Sequence, residues 1–138
     1  MKKESAAWLA GFWDADGTIG IYKRSTYLVP SISCTNTDKK LIDYVCSILD
    51  DTSIEYRVDY QDRGDRSNAR PAWTIKLESR PRVLSLLQYL EPYLVGKQQQ
   101  ARLVMEWCNL PVYRKKRCER NTEIVETLKS LNSRGRIK

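Results

Sequence analysis

The sequence predicts an α+β fold in which one antiparallel sheet carries helices on a single face. Three observations lead there. Apolar residues recur at helical spacing in Ser5 to Trp13, alternate strictly after Gly17, return to helical spacing after Asp38, and alternate again from Ile54. Each alternating stretch divides into two strands joined by a short or turn-rich link, which is the signature of a hairpin. From Pro81 onward the pattern is helical only, so two hairpins make the sheet and its uncovered face is free to be polar.

Each element has its own justification. In the first helix Leu9, Phe12 and Trp13 share a bulky face with Trp8 beside it, while Ala7, Ala10 and Gly11 make a small-residue face. In the first hairpin Ile19 and Ile21 alternate with Gly20, Tyr22 and Arg24; after Arg24-Ser25-Thr26, Leu28, Pro30, Ile32 and Cys34 alternate with Tyr27, Val29, Ser31 and Ser33. Asp38 is placed to cap a second helix from Lys39 to about Leu49. Ile54, Tyr56, Val58 and Tyr60, then Trp73, Ile75 and Leu77, give the second hairpin, with the polar, arginine-rich stretch from Asp62 to Pro71 between its strands. A third helix begins near Pro81, where proline is tolerated in the first turn, and ends before Pro92. Lys97 to Cys108 and Thr122 to Leu131 read as the last two helices.

A chain of 138 residues is one domain's worth, with a core over about residues 4–108 and a helical extension over about 109–138. It contains no histidine, which excludes Ser-His and Cys-His nucleophiles, an imidazole base and His-ligated zinc. Any chemistry must run on carboxylates, lysines and metal-bound water. The net charge of +7 favours a polyanionic partner, and the surplus comes from the last third of the chain. Cys34, Cys46, Cys108 and Cys118 are widely spaced with no C-x-x-C, so we read them as free thiols of a reducing, intracellular compartment. No apolar run approaches the roughly 18 residues of a membrane span, and no membrane partner is expected.

The segment with the most chemistry is Asp14-Ala15-Asp16-Gly17. A helix C-terminus carries partial negative charge, so two carboxylates there are disfavoured unless something positive compensates. A Mg²⁺ ion, which takes carboxylate, carbonyl and water oxygens, would do so; solvated aspartates ahead of a terminating glycine are the alternative. A calcium EF-hand loop is excluded, because counting from Asp14 puts Ser25 where the bidentate glutamate belongs.

Leu9-Ala10-Gly11-Phe12-Trp13-Asp14-Ala15-Asp16-Gly17 closely resembles the signature of the LAGLIDADG homing endonucleases, departing from it only at Phe12 and Trp13, both apolar. The helix-hairpin-helix-hairpin-helix order resembles the αββαββα core of that family, and Pro92 to Gln98 resembles the segment carrying its active-site lysine. The resemblance implies that Asp16 is the metal-binding catalytic aspartate, that the Ala15 carbonyl helps hold the ion, Mg²⁺ or another divalent such as Mn²⁺, and that Lys97 lies near the scissile phosphate. Asn36 falls where the family places a polar residue that orders water, and Lys40 is a further candidate for the basic pocket. Read alone, Lys97 is equally a solvated lysine at a helix start. No second D-x-D-G occurs, and single-motif members of the family work as homodimers. A two-fold pair would juxtapose the first helices through Ala7, Ala10 and Gly11, with Asp14 at the same contact; close packing within one chain is the other use for small residues.

With Ile19, Ile21, Leu28, Ile32, Tyr56, Val58, Trp73 and Ile75 facing the helices, the opposite sheet face presents Tyr22, Arg24, Tyr27, Ser31, Ser33, Arg57, Asp59, Gln61, Thr74 and Lys76. Arginine and lysine suit guanine, glutamine adenine and aspartate cytosine, so a near-neutral mixture of these types fits base readout better than phosphate binding. Arg63, Arg66 and Arg70 would extend the contact along the DNA. Arg114-Lys115-Lys116-Arg117 invites a localisation reading, but short basic runs are nonspecific, and contact with the phosphate backbone or no contact at all fits better. The expected activity is therefore site-specific, metal-dependent cleavage of double-stranded DNA by a homodimer at a long, roughly palindromic site, leaving short 3′ overhangs, with no small-molecule substrate. A cleavage-inactive relative that binds DNA or RNA, such as an intron maturase, is the alternative. A basic protein that coats nucleic acid without sequence choice is a third.

Overall fold

The computed structural model describes residues 1–62, 70–111 and 119–133. Their elements are α1 (Lys3–Asp16), β1 (Gly17–Arg24), β2 (Tyr27–Asn36), α2 (Lys39–Asp50), β3 (Arg57–Gln61), β4 (Ala72–Leu77), α3 (Arg80–Leu90), a 3₁₀ turn (Glu91–Tyr93), α4 (Gln98–Cys108) and α5 (Glu119–Ser133). The strands form one antiparallel sheet in the order β1-β2-β4-β3. The hairpins thus meet through β2 and β4, and β1 and β3 are the edges. This is the α+β order expected from the change of period.

Register fixes the two faces, because directly opposed residues of an antiparallel pair point the same way. Ile19 opposes Ile32, Ile32 opposes Leu77 and Cys34 opposes Ile75 on the helix-covered face. Thr18 opposes Ser33, Ser33 opposes Lys76, Arg57 opposes Lys76 and Asp59 opposes Thr74 on the open face. The core lies between the sheet and the helices and includes the fully buried Leu9, Trp13, Ile42, Leu49, Leu86 and Leu90. Burying one such side chain contributes roughly 1.5–3 kcal/mol.

The helix ends follow from capping. Asp38 accepts from the Lys40 amide at 2.9 Å and starts α2. Ser79 accepts from the Arg82 amide at 3.4 Å and starts α3, with Pro81 in the first turn. The Arg80 guanidinium lies 3.9 Å from the Trp107 ring centroid and donates to the carbonyls of Trp107 and Cys108, a cation at the negative end of α4. α5 buries Ile124 and Leu128, and its Asn132 Nδ2 donates to the Ile19 carbonyl at 3.2 Å, covering the edge of β1.

Two local expectations differ from what forms. The third strand begins at Arg57 and not at Ile54, because the preceding residues are tied to the end of α2. Thr52 Oγ1 donates to the Leu49 carbonyl at 2.6 Å and accepts from the Ile54 amide at 3.1 Å, while the Tyr56 hydroxyl donates to Asp50 at 2.6 Å. In α1 the buried residues are Ala6, Leu9, Ala10 and Trp13, so Ala10 serves packing within the chain. Ala7, Gly11 and Ala15 are the small residues left exposed.

Cys34, Cys46 and Cys108 are free thiols, as expected, and Cys118 lies outside the described residues. Burial, then the negative charges of Asp16 and Cys46, push the Cys34 thiol up to about 12, which leaves it unreactive. No helix among the described residues is long and apolar enough to cross a membrane.

Candidate active site

The end of α1 runs directly into β1 with no intervening loop, Gly17 being the first strand residue in extended conformation, with φ −100° and ψ 170°. A Cβ at position 17 would lie 2.2 Å from Cδ1 of Trp13, whose indole Nε1 donates to the Thr18 carbonyl at 3.3 Å. Glycine is therefore required by close approach of a buried ring and not by an unusual φ.

The two aspartates that precede it do different things. Asp14 turns inward along the chain. Its Oδ2 accepts from the Val95 amide at 2.8 Å and its Oδ1 from the Lys97 amide at 2.9 Å, binding the turn before α4 to the end of α1. Lys97 returns the contact, its Nζ donating to the Asp14 carbonyl at 2.6 Å. That ammonium supplies the positive charge a helix C-terminus favours. Glu91 steadies the same turn from the other side, accepting from Arg102 Nε at 3.0 Å through its carboxylate and from Gln98 Nε2 at 3.0 Å through its carbonyl.

Asp16 is exposed and points away from that staple. Its Oδ2 accepts from Asn36 Nδ2 at 2.9 Å. Asn36 Oδ1 in turn accepts from the Asp38 amide at 2.7 Å, and Asp38 caps the first turn of α2 at Lys40. A hydrogen-bonded series thus links Asp16 to the base of α2. Sequence separation hides these contacts, since 20 residues divide Asp16 from Asn36 and 83 divide Asp14 from Lys97.

The donor set at the end of α1 suits a hard cation in kind, being carboxylate and carbonyl oxygen. It falls short in number. Among the described residues no group of three or more His, Cys, Asp or Glu side chains could hold a metal, so a cation at Asp16 and the Ala15 carbonyl would need further oxygens from water, a phosphate or a second copy of the chain.

On the open sheet face Arg24, Tyr27, Arg57, Asp59, Gln61, Ser33, Tyr22 and Lys76 are exposed or half-buried, and Arg70 is exposed beyond β3. Ser31 and Thr74 sit on the same face but are buried, Thr74 Oγ1 sharing a 2.8 Å hydrogen bond with Thr35 Oγ1. Arg57 Nε pairs with Asp59 at 3.1 Å. Arg63, Arg66 and the basic run Arg114 to Arg117 lie outside the described residues. The register adds three residues to this face that alternation alone did not single out: Thr18, Thr35 and, just past β4, Glu78. All three were legible as the next positions of the same alternation, Glu78 following Thr74 and Lys76.

A family model described as a LAGLIDADG-like domain matches residues 3–91. The uncharacterized protein MJ0314 of Methanocaldococcus jannaschii is 38% identical over 65 residues, which span 47% of this chain and 24% of that protein. Among solved structures, the homing endonuclease I-CvuI in complex with its target superposes with a TM-score of 0.60 at 22% identity, over 94% of this chain and 96% of that one. The LAGLIDADG meganuclease I-AabMI bound to uncleaved DNA superposes with a TM-score of 0.63 at 16% identity, over 90% of this chain but 43% of that one. These structural likenesses are likenesses of fold.

Proposed function

The chain belongs to the LAGLIDADG family, and from that premise we propose that it is a site-specific, divalent-metal-dependent DNA endonuclease acting as a homodimer. The observation that carries the proposal is the division of labour between the two aspartates. Asp14 is spent on the fold, whereas Asp16 stands exposed at the strand junction with its carboxylate oriented by Asn36. Asp16 and the Ala15 carbonyl would hold a divalent cation there, which would supply positive charge at the phosphate and a water of lowered pKa.

The chain's own residues do the remainder. Asp16 and the Ala15 carbonyl hold the cation, and Asn36 fixes the Asp16 rotamer. Lys97, anchored at both its amide and its ammonium, keeps a positive charge beside the site where negative charge develops on the phosphate. The open sheet face reads bases through Arg24, Arg57, Gln61, Asp59 and Lys76.

One chain offers one Asp16, and cutting two strands needs two. A two-fold pair through the outer face of α1 supplies the second, and it predicts a roughly palindromic site. Gly11 supports that assignment, because an added Cβ there meets nothing within 4 Å and the single chain gives no reason for a glycine. Trp8 and Phe12, stacked at 5.4 Å and half-buried, flank the strip.

The test is incubation of the full chain with a randomised DNA library and Mg²⁺, with sequencing of the cut ends. Wild type should cut at a defined site and Asp16→Asn should bind that site without cutting. Undiminished cleavage by the variant removes Asp16 from the chemistry, and binding without cleavage by the wild type favours the maturase-like alternative.

A further inference from the structure

We propose that Glu78 is the residue that sets base specificity on the open sheet face, by holding Arg24 and Lys76 in fixed positions and cancelling part of their charge. This rests on the reading of that face as the DNA-binding surface. Glu78 follows β4 directly, and the Ile32–Leu77 pairing places it beside Ser31, across β2 from Gly20. Arg24 Nη2 reaches it at 2.6 Å from the end of β1, and Lys76 Nζ lies at 4.0 Å from the same oxygen. The two cations come from strands that do not pair with each other. One carboxylate joins them.

Burial pushes the Glu78 carboxyl up, but the hydrogen bond and charge of Arg24, the charge of Lys76 and the hydrogen bond from Ser31 outweigh it and hold the group below the usual carboxylate range. Its side chain is 20% exposed, against 41% for Arg24 and 27% for Lys76, so the acid is the most shielded of the three. The guanidinium lies over the Tyr22 ring, with Arg24 Cζ 5.9 Å from the ring centroid.

Two consequences follow for a bound duplex. A free arginine must surrender its rotamer freedom on binding, whereas one already held has less to lose, and its remaining N–H groups present one geometry to a base edge. Phosphate attraction depends on net charge and is indifferent to sequence, while base recognition depends on donor geometry. A carboxylate under two cations weakens the first and keeps the second.

The experiment measures binding of the full chain, in Ca²⁺ or without metal, to the selected site, to that site with each base pair varied, and to unrelated duplex. Glu78→Gln should reduce the base preference about tenfold at the steps where Arg24→Ala and Lys76→Ala also lose it. It should also tighten binding to unrelated DNA and steepen the salt dependence. Glu78→Asp keeps the charge but shortens the reach, so it should lose preference without gaining nonspecific affinity. If Glu78→Gln does not fold, Arg24→Gln/Glu78→Gln removes both members of the pair and should match Arg24→Gln at the step Arg24 reads while also losing preference at the step Lys76 reads.

An unchanged base profile in Glu78→Gln, or a double variant that loses further preference at the Arg24 step or keeps it at the Lys76 step, overturns the proposal and leaves Glu78 as a staple between strands. Absence of any sequence preference in the wild type is a different failure, that of the DNA-reading face itself.

Discussion

The two hairpins share one sheet and one strand geometry, yet they are secured very differently. β1 and β2 receive α1, α4 and α5, and their inward residues Ile19, Ile32 and Cys34 are buried to 1% or less. β3, on the opposite edge, is exposed along nearly its whole length, with Val58 and Tyr60 at 41% and 55% even though they lie on the helix-facing side. The half that carries the site is fixed by packing and tethers, and the half that carries Arg57, Asp59 and Gln61 is held mainly by its ladder to β4.

That contrast can be broken most sharply at its rigid end. Gly17→Ala forces a Cβ onto the Trp13 ring, which is fully buried and has nowhere to move, so a loss of about 3 kcal/mol is expected in denaturant unfolding. Asp14→Ala comes next. It orphans the Val95 and Lys97 amides and slackens the hold on Lys97, with an expected cost of about 1–2 kcal/mol and a fall in cleavage rate larger than the fall in DNA affinity.

The Arg24–Glu78 ion pair between the halves is a weaker link, and it depends on pH. Because the folded Glu78 carboxyl lies below its ordinary value of 4.5, the stabilisation it brings is fully present above that value and is lost as pH falls through the lower folded one. Melting temperature should therefore drop as pH is taken below about 4.5, and Glu78→Gln should drop less. Solvent at Arg24 keeps the effect small. Smallest of all is Tyr60→Ser on the exposed edge, where a change of about 0.5 kcal/mol is expected; a loss near that of Gly17→Ala would show that β3 is not the loosely held half.

Much of this was legible in the sequence, and the reasons are physical. Period 2 and period 3.6 are local properties, so the element order and the membership of each sheet face could be read without a structure. Ala10 could not be assigned by size, because a small side chain is compatible with either face; the spacing of Ala6, Leu9, Ala10 and Trp13 reveals the buried side only when alanine counts as apolar. The start of β3 was hidden because Thr52 and Tyr56 spend their hydroxyls on α2, a choice that alternation cannot express. The roles of Asp14 and Glu78 were the least readable, since their partners lie 83 and 54 residues away and nothing in a carboxylate's neighbours announces a distant arginine or amide.

The empty space around Gly11 carries a last consequence, for how variation in this chain would be filtered. An added Cβ there meets no atom within 4 Å, so a screen that rewards a folded monomer will pass Ala at Gly11 as readily as glycine. On the proposed two-fold pairing, a screen that rewards two cuts will reject a bulkier side chain that still passes for folding. On that proposal the outer strip of α1 is invisible to selection for folding and visible to selection for pairing, and a library scored both ways would trace the boundary of the proposed contact residue by residue.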